Sequence, residues 1–305
     1  MATYLVTQAT GMQSQWVIKH LLLAGVKVHA IVRNLEKVPP TLQDPRITLF
    51  QGESKNVEEV LRAAQGCKGV FLNTFPIPGL EAQQAQAVIE ACLKAGVESI
   101  VASTVTLAND KAVLDDPVTV AADLRDYFAS KAVLEDLVRR ANFKSYTILR
   151  PAIIDQDYMV PHSHYNFPEL PTHGELVHCL NKGVGLPQTD AHDVGKYAAA
   201  ALLDPAKFSG QEIDLVSEIL TIEEARDIIA KVSGKDVRVR KRTPAEQEET
   251  LKTVFGQRFH LVANARDFYS LAGVSKEVAA KFGIPPTSLE ECLQREKDHL
   301  VASLP

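Results

Sequence analysis

The sequence predicts an α/β protein in which a doubly wound parallel sheet is followed by a smaller C-terminal α+β subdomain. Up to about residue 150, short β-branched runs alternate with amphipathic helical stretches. The strand-like runs are almost continuously apolar, which is typical of parallel strands buried on both faces. After residue 150 the pattern changes, and Pro, His and Asn become frequent. Alternating strands and helices of this kind form a sheet covered by helices on both sides.

The elements of the first half follow from these patterns. The runs that predict strands are Tyr4–Thr7, Lys27–Val32, Ile47–Gln51, Gly69–Asn73, Ser99–Ser103 and Ser145–Leu149. The amphipathic stretches between them predict helices near 12–24, 56–64, 80–95 and 120–141. We therefore place a first domain at 1–152 and a second, smaller subdomain at 153–305, with parts of the sheet shared between them.

The second half is less regular. Residues 155–190 show little periodicity, and a long irregular stretch in a compact domain is more often a lid or binding loop than a spacer. Residues 190–205 predict an N-capped helix ended by proline, and 213–216 predict a strand. Residues 221–234 predict a further capped helix that ends at Gly234.

Composition is ordinary for a globular protein: 305 residues with 46% hydrophobic residues, 23% charged residues and a net charge of −5. The acidic balance argues against partners such as nucleic acids or anionic membranes, and the basic run 238–242 is interpreted as a solvated strand edge. No apolar run has the length of a membrane span, and no secretion signal precedes the first strand. Four cysteines without zinc spacing suit free thiols, so we predict a cytoplasmic protein.

The turn after the first strand, TQATGMQS, resembles a phosphate-binding turn with glycines missing. A full fingerprint has three glycines, for the tight turn, for backbone approach to the pyrophosphate, and for helix–strand packing. Only Gly11 is present, at the position of phosphate approach, with Gln8 and Ser14 at the outer positions. Gln8 must then adopt a conformation that glycine takes more easily, and Ser14 adds bulk. The helix N-terminus still offers N–H groups and its dipole to an anion, although a plain βα turn explains the same residues.

Arg33, at the end of the second strand, predicts the type of dinucleotide. About 20 residues past the glycines, an Asp or Glu would bind a ribose 2′-hydroxyl. An arginine fits a 2′-phosphate bidentately, so NADP(H) is favoured over NAD(H). A surface arginine at a strand end is the alternative.

The sequence resembles the NmrA-like branch of the atypical short-chain dehydrogenase/reductase superfamily, including isoflavone-reductase-like proteins. The matching segments run in the family's order over most of residues 1–205: VTQATGMQSQWVIKHLL, VHAIVRN, FQGESKNVEEVLRAAQGCKGVFLNT, ILRPAI and TDAHDVGKYAAAALLDP. The family's first turn is usually GATGxxG, so this chain lacks both outer glycines. The resemblance implies a Rossmann-type domain followed by a small substrate domain. Family members include NADP(H)-dependent reductases and cofactor-sensing regulators without known catalysis.

The resemblance also implies the cofactor-binding residues. In the family an acidic residue after the third strand contacts the adenine, and the segment after the fourth strand lies along the ribose and nicotinamide. Together with the first turn and the second strand, the implied set is Thr7, Ala9, Thr10, Gly11, Met12, Gln13, Arg33, Glu53, Asn73, Thr74, Phe75 and Lys131.

Tyr127 and Lys131 have the spacing YxxxK on a predicted helix, which places both side chains on one face. A nearby ammonium lowers the pKa of a phenol from about 10, so that the phenol can act as acid or base. In the superfamily this tyrosine protonates the oxygen formed as hydride reaches a carbonyl, and the lysine holds the nicotinamide ribose. Many NmrA-like proteins lack the tyrosine. On spacing alone, an ordinary amphipathic helix explains the pair.

The superfamily's third catalytic residue is a Ser or Thr just past the fifth strand. We choose Thr104, because it lies near the carboxyl end of the strand, where ligands bind in such sheets. Candidate substrate-lining residues are Ser103, Tyr158, His162, His164 and Tyr165. The two histidines would face the same way on an extended chain, but no third ligand follows at a suitable spacing, so we predict no metal site.

Three functions remain open at this point. The first is an NADP(H)-dependent oxidoreductase that reduces a carbonyl or conjugated alkene of a small, fairly apolar molecule. The second is a non-catalytic NADP(H) sensor that acts on a partner protein. The third is a cofactor-independent isomerase or lyase on the same scaffold. The incomplete glycine turn favours the second and third, whereas the YxxxK pair favours the first and third. Whether the chain forms a homodimer is left open.

Overall fold

The chain forms two structural units in a computed structural model that describes residues 1–305. The first unit consists of Met1–Asp110, Asp126–Pro151 and Ala191–Asp214, and the second of Lys111–Arg125, Ala152–Asp190 and Leu215–Pro305. One junction between the units lies between Pro151 and Ala152. Each unit consists of separate chain segments. The chain returns to the first unit at Ala191, with a helix that packs against the first helix of that unit.

The strands are β1 Thr3–Val6, β2 Lys27–Val32, β3 Ile47–Gln51, β4 Gly69–Leu72, β5 Ser99–Ser103, β6 Ser145–Pro151, β7 Ile153–Ile154, β8 Glu175–His178, β9 Leu186–Thr189, β10 Gln211–Leu215, β11 Glu218–Leu220 and β12 Arg238–Lys241.

The helices are α1 Met12–Leu23, α2 Val57–Ala64, α3 Leu80–Lys94, α4 Lys111–Leu114, α5 Pro117–Ala121, α6 Arg125–Arg140, α7 Ser163–Asn166, α8 Leu170–His173, α9 Ala191–Leu203, α10 Pro205–Phe208, α11 Ile222–Ser233, α12 Pro244–Thr253, α13 Arg258–Asn264, α14 Ala272–Phe282, α15 Leu289–Arg295 and α16 Lys297–Ala302. None of them is both long enough and apolar enough to cross a lipid bilayer.

The first unit is built on a seven-stranded sheet with the order β10-β6-β5-β4-β1-β2-β3. The pairs from β3 through β6 are all parallel, and every residue of β4 and β5 is buried. This confirms the predicted doubly wound parallel sheet. The chain reverses its direction of winding between β1 and β4, and ligands bind at the carboxyl side of such a switch point in open α/β sheets.

The predicted helix at 120–141 is divided in the structure. Helix α5 ends at Ala121 and α6 begins at Arg125. Between them Asp123 has a φ of +54°, a left-handed conformation that a continuous right-handed helix does not allow. The amphipathic pattern continues across the break, so periodicity alone did not reveal it.

The second unit contains a three-stranded sheet β11-β9-β7 and a parallel pair β12-β8. The segment 155–190, expected to be irregular, contains short helices and strands that are each too brief to show a period. Two expectations are confirmed. Helix α11 has a capping box between Thr221 and Glu224 and ends at Gly234 in a left-handed conformation, and β12 is an exposed strand.

Helices α1 and α9 of the first unit cross where Gly195 meets Trp16. A Cβ atom at position 195 would lie 2.7 Å from the carbonyl carbon of Trp16, so alanine must push the helices apart. We expect Gly195→Ala to lower the free energy of unfolding by about 1–3 kcal/mol in urea denaturation. Gly273→Ala is the matched control, because no atom lies within 4 Å of its added Cβ. A Gly195→Ala protein as stable as the parent would contradict this packing.

Candidate active site

The carboxyl ends of β1 and β4 are joined by the side chain of Thr7. Its Oγ1 donates to the carbonyl oxygen of Asn73 at 2.8 Å and accepts from the Asn73 N–H at 2.9 Å. The backbone N–H of Thr7 donates to the Phe71 carbonyl at 3.1 Å. Thr7 is fully buried. These bonds extend the pairing of the two strands past their ends, at the switch point where ligands bind.

Ser14 occupies the position of the third glycine and joins α1 to the same two strands. Its Oγ donates to the Thr7 carbonyl oxygen at 2.9 Å and accepts from Asn73 Nδ2 at 3.2 Å. The side chain is fully buried. The Ser14 side chain therefore adds the expected bulk at the helix–strand contact. Its hydroxyl also forms hydrogen bonds that a glycine could not form.

The turn itself is tight despite its single glycine. Gln8, at the first glycine position, has a φ of +49°, which is the left-handed region; this agrees with the expectation of a conformation that glycine takes more easily. The Gly11 N–H donates to the Gln8 carbonyl oxygen at 2.8 Å, and a Cβ at position 11 would lie 3.1 Å from that oxygen. Helix α1 starts directly after Gly11, so its first-turn N–H groups, which have no intrahelical acceptor, lie at the turn.

A cavity of about 240 Å³ lies beside this turn, past the carboxyl ends of β2 and β3. Four of the expected cofactor-binding residues line it: Thr10, Arg33, Glu53 and Phe75. They come from four separate segments, so the sheet topology brings them together. Other residues that line the cavity, among them Gln8, Ser54 and Lys55, were not in the expected cofactor-binding set.

The charges of this cavity are two cations and one carboxylate. Arg33 is exposed, and Lys55 Nζ lies 3.1 Å from a carboxylate oxygen of Glu53. About half of each side chain in the Lys55–Glu53 pair is exposed, so the pair adds little stability and can rearrange. The net positive charge suits an anionic group.

Lys131 forms a buried ion pair with Glu81. Its Nζ lies 2.6 Å from Oε1 of Glu81, and the two side chains are 7% and 1% exposed. Thr74 Oγ1 donates to the same oxygen at 2.5 Å, and Ser130 Oγ donates to Oε2 at 2.8 Å. The carboxylate therefore has three side-chain donors, as a buried charge requires.

The expected placement of Tyr127 and Lys131 on one face of α6 is confirmed. Lys131 Nζ lies 5.7 Å from the centre of the Tyr127 ring, whose edge meets Phe128. Glu81, the direct partner of the lysine, was missed. The sequence does contain a signal for Glu81. Residues 81, 85 and 88 have the spacing of one face of a helix, and Ala85 and Val88 are buried there. Glu81 is therefore a carboxylate on the apolar face of α3.

The two hydroxyl candidates at the carboxyl end of β5 have different surroundings. Ser103 Oγ donates to Oε1 of Gln13, an expected cofactor-binding residue, at 2.7 Å. Thr104 is buried, and its Oγ1 donates to Oε1 of Glu135 at 2.8 Å. Arg150 also binds that carboxylate, with Nη2 2.7 Å from Oε2. The structure thus places Thr104 in an internal charge network, and its catalytic role stays a prediction.

The remaining substrate candidates belong to the second unit. Tyr158 is 1% exposed and stacks on Phe167 with ring centres 5.2 Å apart, so it is a core residue. His162 is half-buried, and burial lowers its pKa. His164 is exposed, and Tyr165 is 68% exposed. These four candidates are divided between the core and the surface of their unit, and a substrate contact for any of them stays a prediction.

The left-handed conformation of Gln8 generates a stability prediction. Gln8→Gly removes the steric cost of a positive φ and should raise the free energy of unfolding by up to about 1 kcal/mol. Gln8→Val should lower it by at least about 1 kcal/mol, because a β-branched residue tolerates this conformation poorly. Urea denaturation of the three proteins measures both effects. Equal stability of the Val variant and the parent would show that residue 8 is not left-handed.

Comparison with known proteins finds sequence relatives and solved structures that this chain resembles. A Dictyostelium discoideum protein described as NmrA-like family domain-containing is 27% identical over 242 residues, which are 76% of this chain and 78% of that protein. The NADPH complex of the NADPH-dependent quinone oxidoreductase QOR2 from Escherichia coli superposes with a TM-score of 0.72 at 23% identity, over 96% of this chain and 99% of that one.

NmrA, described as a negative transcriptional regulator and solved in complex with NADP, superposes with a TM-score of 0.74 at 20% identity. The match covers 98% of this chain and 96% of NmrA. At these identities the superpositions establish the fold. The family model described as NmrA-like family matches residues 2–301. The chain therefore belongs to the NmrA-like family.

Proposed function

We propose that this protein is an NADP(H)-dependent reductase that acts on a carbonyl or conjugated alkene of a small, fairly apolar molecule. The cavity beside the β1–α1 turn carries the proposal, because it gathers Thr10, Arg33, Glu53 and Phe75 from four segments expected to contact the cofactor. The family assignment supports it, since NAD(P) binding is typical of NmrA-like proteins. Two proteins with the same fold, QOR2 and NmrA, were solved with NADPH and NADP.

The residues at this position fit a dinucleotide phosphate. Gly11 leaves the N-terminus of α1 without a side chain at the point where the backbone would approach the pyrophosphate. Arg33 and Lys55 supply positive charge for a 2′-phosphate. Phe75 was expected on the nicotinamide side, but it lines the same cavity as Arg33, which favours a contact at the adenosine end.

The proposed chemistry assigns acid–base work to α6. When bound, the nicotinamide cofactor would supply the hydride. The Tyr127 phenol would donate a proton to the oxygen of the substrate as that oxygen gains negative charge. Lys131 would hold the nicotinamide ribose and stabilise the phenolate that remains. The Thr104 hydroxyl donates its hydrogen bond to Glu135, so it must give up this bond before it can donate to the carbonyl oxygen of the substrate.

A cofactor-sensing regulator is the second candidate, and the ion pair of Lys131 favours it. An ammonium 2.6 Å from a buried carboxylate stabilises a nearby phenolate less than an unpaired ammonium would. NmrA, with the same fold, is described as a transcriptional regulator. Both candidate functions require nucleotide binding, so binding does not distinguish them. Turnover of a substrate does, because only the reductase catalyses a reaction.

Binding of NADPH and NADH tests the cofactor proposal. We expect NADPH to bind more tightly, and Arg33→Ala to weaken NADPH binding by about tenfold or more while NADH binding changes little, because only NADPH carries the 2′-phosphate. Fluorescence titration measures all four affinities. Arg62→Ala, which removes an exposed arginine of α2 that does not line the cavity, is the control. Equal losses for both nucleotides would rule out a 2′-phosphate contact by Arg33.

Turnover on a panel of quinones, aldehydes and enones tests the catalytic proposal. Tyr127→Phe should lower kcat by about 100-fold or more, because the proton donor is lost, and should leave the Kd for NADPH unchanged. Tyr269→Phe is the control, since that side chain is 48% exposed and belongs to none of the candidate sites. NADPH binding without any turnover by the parent protein would favour the regulator.

A further inference from the structure

Glu81 is an almost completely enclosed carboxylate whose donors come from two distant parts of the first unit. Thr74 lies just past β4, whereas Ser130 and Lys131 lie on α6. The side chain of Glu81 is 1% exposed. Charge-assisted hydrogen bonds in such an environment are strong and have defined directions. One carboxylate thus connects the segment after β4 to the helix of the proposed acid–base pair.

The first two turns of α3 hold this segment at further points. One turn after Glu81, the side-chain oxygen of Gln84 accepts the backbone N–H of Phe75 at 2.8 Å. The backbone N–H of Glu81 donates to the Ile77 carbonyl oxygen at 3.1 Å. The loop that carries Thr74 and Phe75 is therefore bound to α3 by side chains and backbone together.

We propose that Glu81 is a positioning residue that sets the location of Lys131 relative to the cofactor loop, defined as residues 73–75. This inference rests on the proposed function, in which that loop and Lys131 both contact the dinucleotide. A lysine has a flexible four-carbon stem and would take several positions without a partner. The Glu81 carboxylate, bound at the same oxygen by Thr74, restricts the ammonium to one of them.

The experiment compares Glu81→Gln, Lys131→Met and the double variant with the parent protein. Glu90→Gln is the matched control, because Glu90 lies on the same helix and forms an exposed pair with Lys94. Two quantities are measured: the rate of reductive methylation of the Lys131 amine, by peptide mass spectrometry without nucleotide, and the Kd for NADPH.

We expect Lys131 to be methylated slowly in the parent and in Glu90→Gln, and about tenfold faster in Glu81→Gln, because the amine loses its buried partner. The Kd for NADPH should rise about tenfold in Glu81→Gln. The double variant should bind NADPH no more weakly than Lys131→Met alone, because residues that act through one another are not additive.

A folded Glu81→Gln protein with the parent's methylation rate and Kd would overturn the proposal. Additive losses in the double variant would overturn it as well, because Glu81 would then act independently of Lys131. If Glu81→Gln does not fold, the comparison of Lys131→Met with the double variant still decides, since the latter removes both buried charges. Failure of the parent to bind NADPH would refute the proposed function, while the methylation rates would still test whether Glu81 holds Lys131.

Discussion

The hydroxyl groups of Thr7 and Ser14 hold together the switch point of the central sheet, and the candidate site depends on them. Thr7 bonds the end of β1 to Asn73 past the end of β4, and Ser14 bonds the start of α1 to both. Each such bond contributes about 1 kcal/mol net, and a buried partner left unpaired costs more. In a glycine-rich turn the helix and the strands can approach closely because glycine has no side chain. In this chain, buried hydrogen bonds of Thr7 and Ser14 hold the helix and the strands together. The N-terminus of α1 therefore stays at the carboxyl edge of the sheet.

The charges around that edge are of two kinds, and burial separates their roles. Lys55 and Glu53 are about half exposed, so their pair is weak and can exchange partners when an anion arrives. Lys131 and Glu81 are almost fully buried, so separating them would leave an uncompensated charge inside the protein. The open side is thus suited to capturing a charged ligand, and the enclosed side to holding one side chain in place.

Local patterns predicted the features that depend on local physics. β2, β3 and β5 have the bounds that the apolar runs indicated, and Gln8 adopts a positive φ, a conformation that glycine takes more easily. Arg33 follows β2 directly and lines the cavity, because strand ends meet at one edge of the sheet; its contact with a 2′-phosphate stays a prediction. Features that depend on distant contacts were missed. The ion-pair partner of Lys131 is Glu81, which lies 50 residues earlier in the chain. Helix α9 belongs to the first unit, where it packs against α1.

We propose that the β1–α1 turn still binds a dinucleotide phosphate although it has a single glycine. Hydrogen–deuterium exchange with and without saturating NADPH tests this directly, because it reports which backbone N–H groups the nucleotide protects. We expect slower exchange in residues 8–14, 31–35 and 73–84, which contribute to the turn and to the cavity beside it. Unchanged exchange in residues 8–14 at millimolar NADPH would show that the nucleotide does not bind at this turn.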